Sequence, residues 1–360
     1  MPRYYMNYLI GALLILMGQW SHAQDIHFTN FRMAPVSVNP SFTGAFKGTY
    51  RISTIYRDQW RSIGNSRPYT TPFISAEVNI AQGLLTDNDW IAGGISFVRD
   101  QAGSTIFQQV QFGINGAYHY AVDDDYSQVF SLGVTYGRGS QRFNNQSVTL
   151  PLDLVAGGAV EMFNVDQDGN VSSNFADYTI GVSLKNVLND QGDLIRIGVT
   201  AAHITSPNVS FVTVSAPTPQ PGMMPPTVRP INDRRVGFER RLTVTGEGSF
   251  LAAENVRINP ALILQRRAAS TELAVQGIAD YLLDPKAGVI VSGGLGYRVG
   301  DAAELIGGIQ LKDLRIGLSY DLTLSSLNRA GGGAFEIAVG YIGRIYKQPD
   351  VKSVIFCPQL

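Results

Sequence analysis

The residues best suited to catalysis or metal binding are few in this 360-residue chain, and they are widely spaced. Of the four histidines, His22 lies near the N-terminus, and His27, His119 and His203 lack the short spacing of metal ligands. No serine stands in a G-x-S-x-G nucleophile motif, and no glycine-rich loop carries a phosphate-binding lysine. The sequence therefore predicts a protein that is not an enzyme and that needs no metal or cofactor.

One acidic stretch resembles the start of a calcium-binding loop. Asp166, Asp168 and Asn170 have the spacing of the first three ligands of an EF-hand. Val171, however, stands where that loop needs glycine, and no glutamate follows at its twelfth position. We therefore predict a solvated turn.

Glu77, Glu247 and Glu336 are the carboxylates that could be mistaken for catalytic acids. No serine–histidine or aspartate–histidine spacing accompanies them, so we favour charge pairing on the polar face of a sheet. The glycine-rich sequence GLGYRVG (residues 294–300) is similar to a dinucleotide fingerprint. It falls inside a predicted strand and not at a strand-to-helix turn, which excludes that interpretation.

The elements that carry these residues alternate between apolar and polar positions. In residues 314–324 every second residue is large and apolar, and those between are small, polar or charged. Such a strand has one apolar face and one polar face. The pattern recurs fourteen times, with almost no helical stretch to cover the apolar faces. The sequence thus predicts an all-β transmembrane antiparallel barrel of about 14 strands, with lipid against its apolar face. The predicted strands are residues 49–60, 71–81, 89–99, 105–121, 127–137, 177–185, 194–203, 240–250, 256–266, 271–282, 288–299, 303–311, 314–324 and 333–346.

Connection lengths support the same architecture. Connections after even-numbered strands are short, whereas the two longest, residues 138–176 and 204–239, follow the fifth and seventh strands. Short periplasmic turns with longer extracellular loops are typical of outer-membrane barrels. The second long loop contains a proline-rich stretch, residues 215–226, which we interpret as a mobile loop, with a docking segment as the alternative.

The ends of the chain predict its export. Arg3, an apolar run at residues 9–17 and the small-x-small site Ser21-His22-Ala23 predict a signal peptide at residues 1–23. We expect residues 24–47 to form an extended N-terminal segment that is periplasmic or packed in the lumen. The barrel would span residues 48–346, and residues 347–360 would form a periplasmic tail.

Composition excludes several classes of partner. The formal net charge is −1 and only 16% of residues are charged, so nothing indicates binding of nucleic acid. The single cysteine, Cys357, excludes an internal disulfide framework. Its role is left open between an inert tail residue, an intermolecular thiol and a lipid-like anchor point.

Several short motifs are ordered along the whole chain: QDIHFTN (24–30), NPSFTG (39–44), YRDQW (56–60), SPN (206–208) after His203, NP (259–260), GYR (296–298), GLSYD (317–321), GAFEI (333–337) and CP (357–358). Together they resemble the PorP/SprF family of type IX secretion membrane proteins of Bacteroidetes. Two departures are Thr29, where the family has serine, and AFEI in place of an SHEI-like element.

The resemblance implies an outer-membrane protein that assists export or surface retention of a partner, such as an adhesin with a type B C-terminal domain. It also implies gliding motility and periplasmic secretion components, including a peptidoglycan-binding protein. The alternatives are a passive porin for small solutes and an outer-membrane lipase or protease, the latter disfavoured by the missing triad. Six motif residues are candidates for partner binding or for stabilising the barrel rim: Tyr56, Arg57, Asp58, Trp60, Asn39 and Pro40.

Overall fold

The computed structural model describes residues 26–60, 69–102, 107–143, 161–163, 171–209, 212–214, 237–325 and 332–345. The predicted signal peptide, the C-terminal tail with Cys357, the proline-rich stretch and residues 166–170 lie outside the described residues. No helix in the described ranges is long and apolar enough to cross a membrane.

The described residues contain these strands: β1 Tyr50–Gln59, β2 Tyr69–Gln82, β3 Asp89–Ala102, β4 Phe107–Ala121, β5 Gln128–Phe143, β6 Glu161–Phe163, β7 Val171–Val187, β8 Leu194–Ala202, β9 Val212–Val214, β10 Arg241–Ala253, β11 Val256–Arg267, β12 Ser270–Asp284, β13 Val289–Arg298, β14 Ala302–Leu311, β15 Leu314–Thr323 and β16 Ala334–Gly343. Fourteen of them are antiparallel and close into one barrel, in which neighbours along the chain are neighbours in the sheet and β1 pairs with β16. The two short strands β6 and β9 pair with each other apart from the barrel wall.

The predicted fourteen-stranded barrel is confirmed, and each predicted strand corresponds to one strand of the wall. The largest differences are at β5 and β7, which continue six residues beyond their predicted ends on the side of the long loop between them. The pair β6–β9 was not predicted, since strands of three residues carry too little periodicity to be recognised.

Alternation decides which side of the wall each residue faces. On β4, Phe112 and Ile114 point outward and are exposed, whereas Asn115 and His119 point inward and are buried. The same split holds on β16, where Phe335 and Ile337 are outside and Glu336 is fully buried. The outer surface is therefore apolar and the lumen polar, as predicted.

The two ends of the barrel differ in their connections. At the end where β1 begins, which we call the short-turn end, the connections have two to six residues. At the opposite, long-loop end, the connections after β5 and β8 are the longest, and β6 and β9 join these two loops to each other. Counted along the wall, short connections follow the even-numbered strands, and the two longest follow the fifth and seventh strands, β5 and β8. This pattern was predicted from the sequence and is confirmed. Which end faces the periplasm stays a prediction.

Residues 26–44 lie inside the barrel, and we call them the lumen segment. They form short helical turns, Phe31–Met33, Pro35–Val38 and Pro40–Phe42, and the expectation of an extended chain is wrong in this respect. The physical reason is closure: a closed barrel offers no free strand edge to an inner segment. The segment therefore satisfies its backbone groups by local turns and by side chains of the wall.

The apolar core lies between the lumen segment and one side of the wall. Phe28, Met33, Ala34 and Val36 pack there against the wall near Ile55. Phe31 enters a second cluster on the β11 wall. The barrel is thus stabilised from within by a segment that arrives before its first strand.

Candidate functional site

The centre of the candidate site is Arg57, one residue of the YRDQW motif. Alternation along β1 turns Arg57 inward, and its side chain is almost fully buried. It donates to Glu336 at 2.5 Å and to Asp321 at 3.1 Å. Glu336 is its cross-strand neighbour on β16, so the closure of the barrel brings these two motifs together.

A second buried arginine extends this network. Arg298, from the GYR motif, lies 3.1 Å from Asp321, 3.0 Å from Glu304 and 3.0 Å from Asp301. Asp321 and Glu304 are themselves cross-strand neighbours, on β15 and β14. Two like charges side by side would repel, and Arg298 relieves this by lying against both. Buried carboxylates still outnumber the two arginines, so the network also needs neutral donors.

The lumen segment supplies those donors. The backbone N–H groups of Thr29 and Asn30 both donate to Glu336, each at 2.8 Å. The Thr29 hydroxyl donates to Asp321 at 2.6 Å, and the Asn30 amide donates to Ser319 at 2.8 Å. We call this set of contacts the upper anchor. Charge-assisted hydrogen bonds of this kind are stronger than neutral ones.

An aromatic contact completes the upper anchor. Phe28 packs against Phe73 with ring centroids 5.6 Å apart. Ile55 belongs to the same buried cluster, and Val98 packs against its edge. Three consecutive residues therefore make three different contacts with the wall. Phe28 packs in an apolar pocket, Thr29 donates to a carboxylate, and the Asn30 amide donates to a serine hydroxyl.

The opposite wall holds the other end of the lumen segment, and we call this contact the lower anchor. Asn39 is fully buried; its amide donates to the Val182 carbonyl at 3.1 Å, and its oxygen accepts from the Ser41 N–H at 2.9 Å. A Cβ on Gly133 would come within 2.3 Å of the Pro40 backbone, and one on Gly181 within 2.0 Å of the Asn39 side chain. Only glycine at these wall positions allows the segment to lie so close.

The chain leaves the lumen beside a third group of polar contacts. Nε2 of His119 lies 2.7 Å from the Thr43 carbonyl, which makes it the donor, and Trp90 stacks on the imidazole at 4.5 Å. Glu77 accepts from the Gly44 N–H and pairs with Arg51 at 2.7 Å. Thus the lumen segment is held from its start to its exit.

The carboxylates proposed for charge pairing are ion-paired, as predicted. Glu77 pairs with Arg51, Glu247 lies 3.0 Å from Arg196, and Glu336 pairs with Arg57. No cluster of three metal-binding side chains occurs within the part of the chain that the structure describes.

The predicted site residues on β1 point in different directions. Tyr56 is on the outer face and 40% exposed, whereas Arg57 points into the lumen, two residues from the long-loop end of β1. Asp58 is buried beside an outward groove that Tyr56 and Phe335 also line. Trp60 has a φ of 60° just beyond β1 and packs edge-on against Tyr69 at 4.8 Å, on the long-loop side.

The structure brings only some of the predicted residues to one place. Asn39 and Pro40 belong to the lower anchor, across the lumen from Arg57 in the upper anchor. Both groups hold the lumen segment, and their part in partner binding stays a prediction. The sequence does not identify Thr29, Asn30 and Glu304 as members of this network. The contacts of Thr29 and Asn30 with Glu336 join residues 307 and 306 positions apart, and no local pattern reports them.

Little free space remains around the lumen segment. Three cavities between it and the wall measure about 30, 110 and 30 Å³. A water molecule occupies about 30 Å³ of the liquid, so these spaces correspond to about one to four waters each. Within the described residues the lumen is therefore largely filled.

A closed antiparallel barrel with an apolar outside and a polar, filled inside is a protein of the outer-membrane β-barrel class. Residues 21–341 match the family model described as "Type IX secretion system membrane protein PorP/SprF", and the chain belongs to this family. It thereby belongs to a group of secretion-system membrane barrels and not to a family of enzymes.

Solved structures with a similar fold are outer-membrane barrels. The toluene transporter TbuX of Ralstonia pickettii is 11% identical, with a TM-score of 0.53 over 87% of this chain and 94% of that one. The monoaromatic hydrocarbon channel CymD is 11% identical, with a TM-score of 0.52 over 88% and 93%. At such identity the likeness shows the fold alone. The sequence matches no curated protein.

Proposed function

We propose that this protein is a non-enzymatic outer-membrane component of type IX secretion and gliding, which assists the export or surface retention of a partner protein such as an adhesin. The observation that carries the proposal is the filled lumen: residues 26–44 occupy the space that solutes would need. Family membership supports secretion-system partners, and the barrel fold supports the outer membrane as the location.

The rival function is a passive channel for small solutes. The similar structures TbuX and CymD are described as a transporter and a channel, which is a reason to consider it. In the present chain, the two anchors fasten the lumen segment on opposite sides of the wall. Three cavities around the segment, of about 30, 110 and 30 Å³, are small for a continuous water-filled pore. The filled lumen favours a protein-binding role.

The long-loop end offers the more elaborate surface for a partner. The β6–β9 pair links the two longest loops, and Phe238 packs between Phe175 and His203 at the base of the second loop. We propose that a secreted partner, through its type B C-terminal domain, contacts this end. The compact turns of the opposite end would then face periplasmic components, including a peptidoglycan-binding protein.

Conductance in planar bilayers separates the two functions. The purified full-length protein should give little steady current, because the lumen segment blocks the barrel. A matched variant, Gly133→Phe, should displace the lower anchor and raise the current, which shows that inserted barrels were present to be measured. Large, stable open-channel steps from the wild-type protein would support the porin and contradict our proposal.

Affinity purification from detergent-solubilised membranes tests the secretion role directly. We expect a surface protein with a type IX C-terminal domain to co-purify, and its surface display to be lost when the barrel gene is deleted. Complementation with the wild-type gene should restore display. Recovery of lipid and assembly factors alone, together with normal display in the deletion strain, would refute the proposal.

A further inference from the structure

The two anchors of the lumen segment differ in chemistry. The lower anchor depends on close approach to glycines and on a fully buried asparagine. The upper anchor depends on carboxylates that accept from Thr29 and Asn30. Close packing against glycine is lost when the segment moves by an ångström, whereas a carboxylate can exchange one donor for another. The upper anchor is therefore the exchangeable one.

The wall of the upper anchor stays charge-paired without the segment. Arg57 bridges Glu336 and Asp321, and Arg298 bridges Asp321 and Glu304, all within the wall. If the segment left, water could solvate these pairs in the lumen, and no isolated charge would remain buried. If the segment left, its contacts with the wall would be lost, but the barrel would not be disrupted.

The upper anchor is also close to the long-loop end. Arg57, Glu304 and Asp321 each lie two residues from the long-loop end of their strands, as does Glu336. At about 3.3 Å per residue, this depth is roughly 7 Å. A peptide that enters from that end can reach the site in extended form with two or three residues.

A natural pivot separates the two anchors. The helical turn Pro35–Val38 lies between the upper anchor and Asn39, and Ser37 in this turn is only half-buried. Exchange at the upper anchor would require residues 26–34 to leave their clusters and to move about this turn while the lower anchor stays in place. A change of backbone dihedrals in a few residues is enough for such a movement.

We propose that the wall of the upper anchor is a binding site for an extended peptide of a partner protein, with residues 26–34 as its built-in competitor. Glu336 would accept two consecutive backbone N–H groups, and Asp321 a hydroxyl. Ser319 would accept a side-chain amide, and the pocket at Phe73 would take an apolar or aromatic side chain. The excess of carboxylates over arginines disfavours acidic peptides. This inference rests on the proposed function, since it names how a secreted partner would be recognised.

Tethering sets the affinity that a competing peptide needs. The lumen segment is covalently joined to β1, so its effective concentration at the site is on the order of millimolar. A free peptide of the same sequence should thus compete poorly with the intact segment. Substitutions that weaken the contacts of the segment, and leave the wall unchanged, should therefore make binding of a free peptide measurable.

The test uses the full-length protein in detergent and a fluorescent octapeptide with the sequence of residues 26–33, IHFTNFRM. In the variant Phe28→Ala/Asn30→Ala, whose own segment lacks two of its contacts, the peptide should bind at least tenfold more tightly than to the wild type. Adding Glu336→Gln or Ser319→Ala to that variant should weaken binding by tenfold or more. Fluorescence anisotropy measures each dissociation constant.

Controls separate specific binding from loss of the fold. Gln109→Ala alters a lumen residue on the β4 wall that pairs with Gln141, and it should leave peptide binding unchanged. A scrambled octapeptide should not bind, and heat-dependent gel migration reports whether each barrel is intact. No binding to the weakened variant, or binding that Ser319→Ala and Glu336→Gln both leave unchanged, would overturn the inference. The proposed secretion role is tested separately by co-purification and display.

Discussion

Replacement of Arg57 by glutamine is the sharpest test of the buried network. Arg57 is 4% exposed and forms the ion pairs with Glu336 and Asp321. Its loss leaves Glu336 with the donors of the lumen segment and the Ser319 hydroxyl, and Asp321 with Arg298 and Thr29. We therefore expect Arg57→Gln to destabilise the protein strongly and to loosen the upper anchor.

The magnitude follows from the partners that remain. Removal of one member of a buried ion pair costs about 3–5 kcal/mol, and the remaining donors place Arg57→Gln near 3 kcal/mol. Glu336→Gln should cost a similar amount, since its loss strands Arg57 and weakens two N–H bonds. In the double variant Arg57→Gln/Glu336→Gln, no unpaired charge is left at this pair. The loss of unfolding free energy should therefore be about 2 kcal/mol smaller than the sum of the losses in the two single variants.

Urea unfolding of the purified protein in lipid vesicles, followed by tryptophan fluorescence, measures these free energies. Arg344→Gln is the matched control, because Arg344 is 53% exposed and lies 3.6 Å from Asp313 at the short-turn end. Surface pairs contribute about 0–1 kcal/mol. An effect of Arg57→Gln no larger than that of the control, or additivity within about 0.5 kcal/mol, would show that the network is not a coupled buried site.

Three further predictions address the lower anchor, the outer face and the turns. Gly133→Ala should lower the free energy of unfolding by about 1–3 kcal/mol through overpacking against the lumen segment, whereas Gly116→Ala, with open space around its Cβ, should not. Ile114→Arg, at the middle of the outer face of β4, should cost about 2–4 kcal/mol when vesicle-embedded protein is unfolded, and a much smaller cost would contradict a lipid-covered face. The Leu251 N–H donates to Asp193 and lowers the pKa of that carboxyl. A depressed pKa means that the bond stabilises the turn above the ordinary pKa of about 3.9 and is lost as the pH falls through the lower, folded-state value. The protection of the Leu251 amide, measured relative to its intrinsic exchange rate at each pH, should therefore be lost below that lower value. Asp193→Asn should abolish this pH dependence.

Local pattern was enough to predict the wall of the barrel. A strand of ten or more residues with a period of two reports its own position and its two faces, as residues 314–324 did for β15. The charged side chains on the polar face could point only toward the lumen, since lipid does not solvate charges. The short strands β6 and β9 were not predicted, because three residues contain too few alternations to be recognised.

The lumen segment could be suspected but not placed from the sequence. The sequence leaves residues 24–47 either periplasmic or packed in the lumen, because nothing local distinguishes these two positions. Phe28 meets Phe73, and Thr29 meets Glu336 across more than 300 residues of chain. These contacts exist only after the first and last strands have paired.

The amino-acid sequence by itself determined the fourteen strands, their inward and outward faces and the shared motifs, because these depend on neighbours one or two positions apart. Only the tertiary structure decided that four distant motifs form one charged network around Arg57 and that the N-terminal segment fills the barrel. The physical reason is closure: pairing of β1 with β16 brings the first and last strands of the wall together and creates an interior that no single strand encodes.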